Sequence, residues 1–194
     1  NTLYGNEGAD TLQGGAGDDV LEGEENADTF ILGTNDGING SDTVRGGSGK
    51  DTADYSGITD TTKNINVTLD NSEVQTVTIT GASNDTLQDV ENVIGGSGND
   101  NITGDGQANT IEGGIGNDIL NGAGGIDVLR GGVGNDNILG GDKEDTLYGD
   151  EGDDILDGGN DADSLFGGDG DDQLSGGAGI DYLDGGNHTI GIGD

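Results

Sequence analysis

Large apolar residues recur along this chain with a period of nine. Between Gly95 and Asp184 they stand at Ile102, Ile111, Leu120, Leu129, Ile138, Leu147, Leu156, Leu165, Leu174 and Leu183, ten repeats without a gap. Positions seven to nine read as a short strand, in which the side-chain period of two turns the eighth residue inward and the seventh and ninth outward. The unit is clearest at Gly113-Gly114-Ile115-Gly116-Asn117-Asp118-Ile119-Leu120-Asn121, which is G-G-x-G-x-D-x-U-x with U apolar. The sixth position carries Asp100, Asn109, Asp118, Asp127, Asp136, Asp145, Asp154, Asp163, Asp172 and Asp181. A repeat this short cannot bury its apolar residue alone; it must stack on copies of itself.

The same period runs less perfectly through residues 1–54. Gly5, Gly14 and Gly23 open repeats with Asp10, Asp19 and Asp28 in sixth place and Leu12, Leu21 and Phe30 in eighth. Five extra residues, Leu32 to Asp36, intervene before repeats resume at Gly37 and Gly46, with Asp42 and Asp51 in sixth place and Val44 and Ala53 in eighth. Over residues 55–94 the pattern lapses. Ile65, Val67 and Leu69 alternate with polar residues, as do Val77 and Ile79, with Asp70-Asn71-Ser72 between them, which predicts an inserted β-hairpin. Asn84-Asp85-Thr86-Leu87 and Val90-Glu91-Asn92-Val93-Ile94 lead back into register. Residues 95–184 hold the ten continuous repeats, and residues 185–194 read as a frayed or truncated end of one continuous solenoid domain.

Composition sharpens the picture. The 194 residues include 44 Gly and 40 Asp plus Glu against 5 Lys plus Arg, a net charge of −35, and only 28% hydrophobic residues. As bulk statistics these describe an acidic disordered chain with too little apolar surface for an ordinary core. The strict phase of the repeats argues otherwise, provided something other than a core offsets the chain entropy. The charge repels nucleic acid and anionic membranes and attracts metal cations. There is no Cys for disulfides or thiolate sites, and no apolar run of the length that crosses a membrane as a helix.

Nine residues suffice for a metal site. Gly at positions one, two and four permits backbone angles that other residues resist and lets carbonyls converge. Two repeats make one rung of a flattened helix, so equivalent turns stack 18 residues apart at about the ordinary strand spacing, ~4.8 Å. Stacked carboxylates repel unless a cation lies between them. Ca²⁺ takes six to eight oxygens at about 2.3–2.6 Å, a set that carboxylates and carbonyls can supply, whereas Mg²⁺ needs a tighter octahedron.

The nonapeptide is identified as the repeat of the RTX (repeats-in-toxin) calcium-binding family, and the resemblance covers nearly the whole chain. It implies an all-β, right-handed parallel β-roll in which each ion takes carbonyls and Asp carboxylates from turns n and n+2. Carried over, one column of ions joins Asp100, Asp118, Asp136, Asp154 and Asp172, and the other Asn109, Asp127, Asp145, Asp163 and Asp181. That makes roughly eight ions in the C-terminal run and a few more at Asp10, Asp19, Asp28, Asp42 and Asp51. The pairs Asp19–Asp42 and Asp28–Asp51 require the five extra residues to bulge outward. Asn109 offers a neutral oxygen and a weaker site. The carbonyls carried over are those of Gly113, Gly114, Ile115, Gly116, Gly131, Gly132, Val133, Gly134, Gly149, Asp150, Glu151, Gly152, Gly167, Gly168, Asp169 and Gly170. Family resemblance also implies export by type I secretion and folding outside the cell or at the bacterial cell surface, where calcium is plentiful.

No catalytic constellation is evident. His188 is the single histidine, and there is no G-x-S-x-G, phosphate loop or H-E-x-x-H. The carboxylates read as ligands and solvated surface rather than acid–base pairs, so the chain is expected not to be an enzyme. One outward column, Arg130, Tyr148, Phe166 and Tyr182, is a candidate contact strip for a polysaccharide or a second roll. The expected function is a calcium-driven folding module or spacer of a secreted adhesin or surface-layer protein. Alternatives are a polysaccharide-binding module of an enzyme such as an alginate epimerase, and the C-terminal region of an RTX protease, lipase or toxin.

Overall fold

The computed structural model describes residues 1–33, 40–70 and 74–187. Gly37, Asn71, Ser72, His188 and the rest of the expected frayed end from 188 onwards lie outside the described residues.

Twenty strands and no helix are found among the described residues. They are β1 (Thr2–Glu7), β2 (Thr11–Leu12), β3 (Val20–Glu25), β4 (Thr29–Ile31), β5 (Thr43–Ser48), β6 (Thr52–Asp54), β7 (Ile65–Thr68), β8 (Gln75–Ile79), β9 (Asp85–Gln88), β10 (Asn92–Ile94), β11 (Asn101–Thr103), β12 (Thr110–Ile115), β13 (Ile119–Gly124), β14 (Val128–Val133), β15 (Asn137–Asp142), β16 (Thr146–Glu151), β17 (Ile155–Asn160), β18 (Ser164–Asp169), β19 (Gln173–Ala178) and β20 (Tyr182–Asp184). Successive strands alternate between two sheets, and within each sheet neighbours are parallel outside the insertion. This is a parallel β-roll. Rungs stack 18 residues apart, as Leu120↔Ile138 and Leu129↔Leu147 show. Across the five extra residues the offset becomes 23, and Val20↔Thr43 and Leu21↔Val44 keep the ladder intact.

The eighth-position residues from Ile102 to Leu165 form a buried file between the sheets, continued by Leu12, Leu21, Phe30, Val44, Ala53, Leu87 and Val93. Leu174 is partly buried, and Leu183, on the last described rung, is exposed. Each buried Leu or Ile contributes about 1.5–3 kcal/mol. One such residue in nine is a thin core for a chain that must order so many glycines.

The strands are longer than the sequence predicts. They run from position seven of one repeat through position three of the next, with the alternation exposed–buried seen in Thr110–Ile115 and Val128–Val133. The first-position glycine therefore faces inward, and its role is steric. A Cβ on Gly131 would stand closer than 3.0 Å to both Asp136 Oδ2 and the Gly149 carbonyl. Only the second and fourth positions call on unusual backbone angles, as at Gly132 (φ 110°) and Gly134 (φ 134°). Asp150 and Lys143 show that other residues can be held there, at φ 75° and 91°.

The insertion is built into one sheet. β7 pairs antiparallel with β8 (Ile65↔Ile79), and β8 pairs antiparallel with β9 (Val77↔Asp85). At its borders β9 pairs parallel with β5, and β7 with β11. The expected hairpin thus carries a third strand, Asp85–Gln88. One sheet reaches eleven strands while its partner has nine, with β6 and β10 directly paired. Alternate residues of all three strands, among them Val67, Val77 and Leu87, point into the core, and Tyr55 and Ile58 pack beneath them.

Expected outcome: Gly131→Ala destabilises the roll by about 1–3 kcal/mol, since overpacking at backbone cannot relax. Gly106→Ala, where nothing lies within 4 Å, leaves stability nearly unchanged. Thermal melts of the two variants under one buffer check the contrast.

Candidate cation columns

The sixth-position side chains sit where one strand's turn hands over to the next, and the inward first-position glycine makes room for them. Asp118, Asp127, Asp136, Asp145, Asp154 and Asp163 are each no more than 2% exposed. Their Oδ1 atoms accept the backbone N–H of the sixth-position residue one rung earlier. Asp100 donates to Asp118 at 2.7 Å, Asp118 to Asp136 at 2.7 Å, Asp136 to Asp154 at 2.7 Å and Asp154 to Asp172 at 2.9 Å. The second column repeats this from Asn109 to Asp127 at 2.7 Å, Asp127 to Asp145 and Asp145 to Asp163 at 2.8 Å, and Asp163 to Asp181 at 3.1 Å.

The N-terminal repeats follow the same rule. Asp10 N–H meets Asp28 at 2.8 Å, Asp19 meets Asp42 at 3.0 Å, and Asp28 meets Asp51 at 2.8 Å. The 23-residue pairs are therefore brought together.

The other oxygen of these carboxylates has no partner. Oδ2 of Asp10, Asp19, Asp28, Asp51, Asp118, Asp127, Asp136, Asp145, Asp154, Asp163 and Asp172 is buried and without a hydrogen bond. In every case but Asp19 the first-position carbonyl of the next rung lies beside it. Asp118 Oδ2 and the Gly131 carbonyl both flank Gly113, and Asp154 Oδ2 and the Gly167 carbonyl both flank Gly149. Third-position carbonyls of Val133, Glu151 and Asp169 accept the N–H of Gly116, Gly134 and Gly152 at 2.7, 2.8 and 2.9 Å, each keeping a second lone pair. Buried acceptors facing acceptors, with no donor between them, need a cation or a proton.

Electrostatics agree with geometry. Burial pushes the carboxyls of Asp118 and Asp145 up to about 7, against the opposing pull of a backbone N–H; neighbouring carboxylates add to the rise. The same causes bring Asp100, Asp127, Asp136 and Asp154 to about 6, with burial again the largest and Asp100 lacking the carboxylate contribution. The donor set is all oxygen, which suits a hard cation. No three His, Cys, Asp or Glu side chains converge on a point among the described residues, so main-chain carbonyls would supply most of a cation's shell.

Three features escaped the sequence. Asp85 and Glu91 occupy sixth-position places inside the insertion, accepting Asp42 N–H and Asp51 N–H at 2.9 Å each. The signals were present: Asp85-Thr86-Leu87 repeats Asp10-Thr11-Leu12, and Glu91 lies nine residues before Asp100. A second ladder runs beside one column in the opposite direction. Asn117, Asn135, Asp153 and Asp171 each donate a backbone N–H to the fifth-position side chain one rung earlier, at 2.9–3.1 Å. Fifth positions of the other column are Ala108, Ile126, Glu144, Ala162 and Ile180, so the true chemical period is 18 residues.

The outward aromatic column is continuous. The Arg130 guanidinium lies 4.4 Å from the Tyr148 ring centroid, Tyr148 stacks on Phe166 at 5.1 Å and 11°, and Phe166 meets Tyr182 at 5.6 Å, tilted 49°. Arg130 also pairs with Asp150 at 2.7 Å. Both faces of Tyr148 are thus covered from within the chain, and the column braces neighbouring rungs.

A parallel solenoid with two files of buried, half-satisfied carboxylates defines a cation-stacked β-roll. The model of the RTX calcium-binding nonapeptide repeat matches residues 1–30, 36–54, 94–129, 130–165 and 166–188, and the chain belongs to that family. The insertion lies outside the matched segments. A search of the curated proteins gave no match.

A pH prediction follows from the raised carboxyls. They take up protons on folding, so the metal-free roll gains stability as pH falls from about 7 toward the ordinary 3.8 and gains no more below it. Circular dichroism in chelator is expected to show more β-structure at pH 4 than at pH 8. The opposite trend would mean that the carboxylates carry no desolvation cost.

Proposed function

We propose that this chain is a calcium-driven folding module in the RTX part of an exported bacterial protein, and that it has no catalytic activity of its own. The observation that carries the reading is the two files of aspartates, eleven of them with a buried Oδ2 that has no partner and ten of those beside a first-position carbonyl of the next rung. In this reading Asp10, Asp19, Asp28, Asp42, Asp51, Asp100, Asp118, Asp127, Asp136, Asp145, Asp154, Asp163, Asp172 and Asp181 hold Ca²⁺ together with carbonyls of the stacked turns. Calcium supplies the positive charge that lets like-charged rungs stack. The protein supplies fixed oxygens, a backbone N–H that orients each carboxylate, and a buried location that strengthens the attraction.

Binding and folding are then one event. Without calcium a net charge of −35 keeps the chain expanded, and each ion cancels two charges as a rung closes. Such a chain crosses a secretion channel unfolded from calcium-poor cytosol and folds outside. Within its parent it acts as a stiff spacer or folding module of an adhesin or surface-layer protein.

Far-UV circular dichroism of metal-stripped protein at pH 8, titrated with Ca²⁺ and in parallel with Mg²⁺, tests this. A cooperative coil-to-β transition is expected with Ca²⁺ at about 10⁻⁴–10⁻³ M and not with Mg²⁺. A β-spectrum in chelator, or saturation below about 10⁻⁶ M, would overturn the proposal. Asp136→Asn is expected to have opposite effects in the two states. It raises the calcium midpoint by about threefold to tenfold through loss of a charged ligand. In chelator it stabilises the roll, because a buried charge is gone.

A further inference from the structure

Both turn columns change character at the insertion. One column runs Asp10, Asp28, Asp51, Glu91, Asn109, Asp127 and onward. Its regular turns place four residues between the first-position carbonyl and the sixth-position side chain. Between β9 and β10 that turn is cut short. The Asp89 carbonyl takes the first-position place beside Gly46 and Asp51 Oδ2, and only Val90 separates it from Glu91. The turn Gly47–Lys50 therefore faces the turn Asp105–Ala108 across a missing rung, a gap of about two strand spacings, ~9–10 Å. Lys50 Nζ reaches across and donates to the Ala108 carbonyl at 3.1 Å.

The neighbouring side chain is changed to match. Asn109 Nδ2 donates to the Glu91 carbonyl at 2.7 Å, and its Oδ1 accepts Asp105 N–H at 2.9 Å. Where the regular aspartates leave an oxygen unpartnered, Asn109 is satisfied entirely by the chain. Asp100, the first residue beyond the break in the other column, accepts Ile65 N–H and Gly96 N–H at 2.8 and 2.9 Å, one on each oxygen, and keeps a lone pair on each for an ion on its Asp118 side.

That other column runs Asp19, Asp42, Asp85 and then stops, because β8 and β7 lie between β9 and β11. Here Lys63, in the turn before β7, donates its Nζ to the carbonyl of Gly81, in the turn before β9, at 2.9 Å. The chain has only three lysines, and two of them span the two breaks.

We propose that lysine ammonium groups close these breaks in place of calcium ions, so that the roll is two calcium-loaded blocks joined by a metal-independent joint. The inference rests on the calcium reading above. An ammonium is a point cation with three donors, able to bridge carbonyls at a turn without needing a carboxylate. The joint also buries apolar residues beyond the single eighth-position file, among them Tyr55, Ile58, Ile65, Leu69, Val77 and Ile79, so it depends less on ions.

The test uses the full chain, Lys50→Ala with Lys63→Ala, and the conservative Lys50→Arg with Lys63→Arg. Hydrogen exchange is followed through a Ca²⁺ titration and bound calcium is counted at saturation. The alanine pair is expected to lose about threefold to tenfold protection at Gly47–Asp51 and Asp105–Asn109, the range for charged but solvent-exposed hydrogen bonds. Protection at Ile138–Leu165 and the number of bound ions stay unchanged, and the calcium midpoints of the two blocks separate. The arginine pair keeps protection at the joint. Unchanged exchange in the alanine pair, or a fall in bound calcium, would overturn the proposal; the latter would make the lysines supports of calcium sites. Should the double variant not fold, Lys50→Ala alone serves. Calcium-induced folding of the unaltered chain in the same titration separates the two readings. Its absence sinks the calcium proposal, whereas its presence with no lysine effect sinks only this one.

Discussion

Everything in this roll depends on how a buried aspartate is held. One carboxylate oxygen takes a backbone N–H from the rung before, and the other faces a carbonyl of the rung after without a donor. The first contact fixes the side chain and sets the vertical register. The second leaves a deficit that the chain cannot fill from its own regular rungs. A thin apolar file stacks the sheets but does not outweigh the entropy of ordering so much glycine. Stability is thus tied to whatever supplies positive charge between rungs, and for this family that is calcium.

The need for that geometry explains the glycines by position. The first-position glycine is absent of side chain because the carboxylate and the next carbonyl already fill the space a Cβ would take. The second and fourth shape the turn, and there the chain tolerates Asp150, Lys143 and Asp161 at positive φ. Two glycine requirements that look alike in the repeat therefore have different physical origins. Fifth-position Asn and Asp add a ladder running against the first, so that neighbouring rungs are tied in both directions on one side of the roll.

The insertion shows what the roll does where the pattern fails. Two extra strands enter one sheet and none enters the other. Beyond Asp85 and Glu91 the stacked carboxylates give way to an ordinary buried core, a satisfied Asn109, and lysines reaching between turns. The joint exchanges ion-dependent contacts for ion-independent ones at the level where turns no longer match.

Much of this was legible in the sequence because the determinants are local and periodic. The phase of Leu120, Leu129 and Ile138 specified an inward file, and Asp118, Asp127 and Asp136 specified stacked carboxylates, since a strict repeat brings like residues into register whatever whole number of repeats makes a rung. The alternation at Ile65, Val67, Val77 and Ile79 announced paired strands. What the sequence could not say is which strands the insertion would join. Pairing β9 with β5 and β7 with β11 is a choice among partners far apart in the chain, decided by which edges the finished sheets leave open. The roles of Asp85, Glu91 and Lys50 follow from that choice, because only the assembled stack brings Asp42 to Asp85, Asp51 to Glu91 and Lys50 to Ala108. Periodicity determined the roll; the break in periodicity was resolved only by tertiary packing.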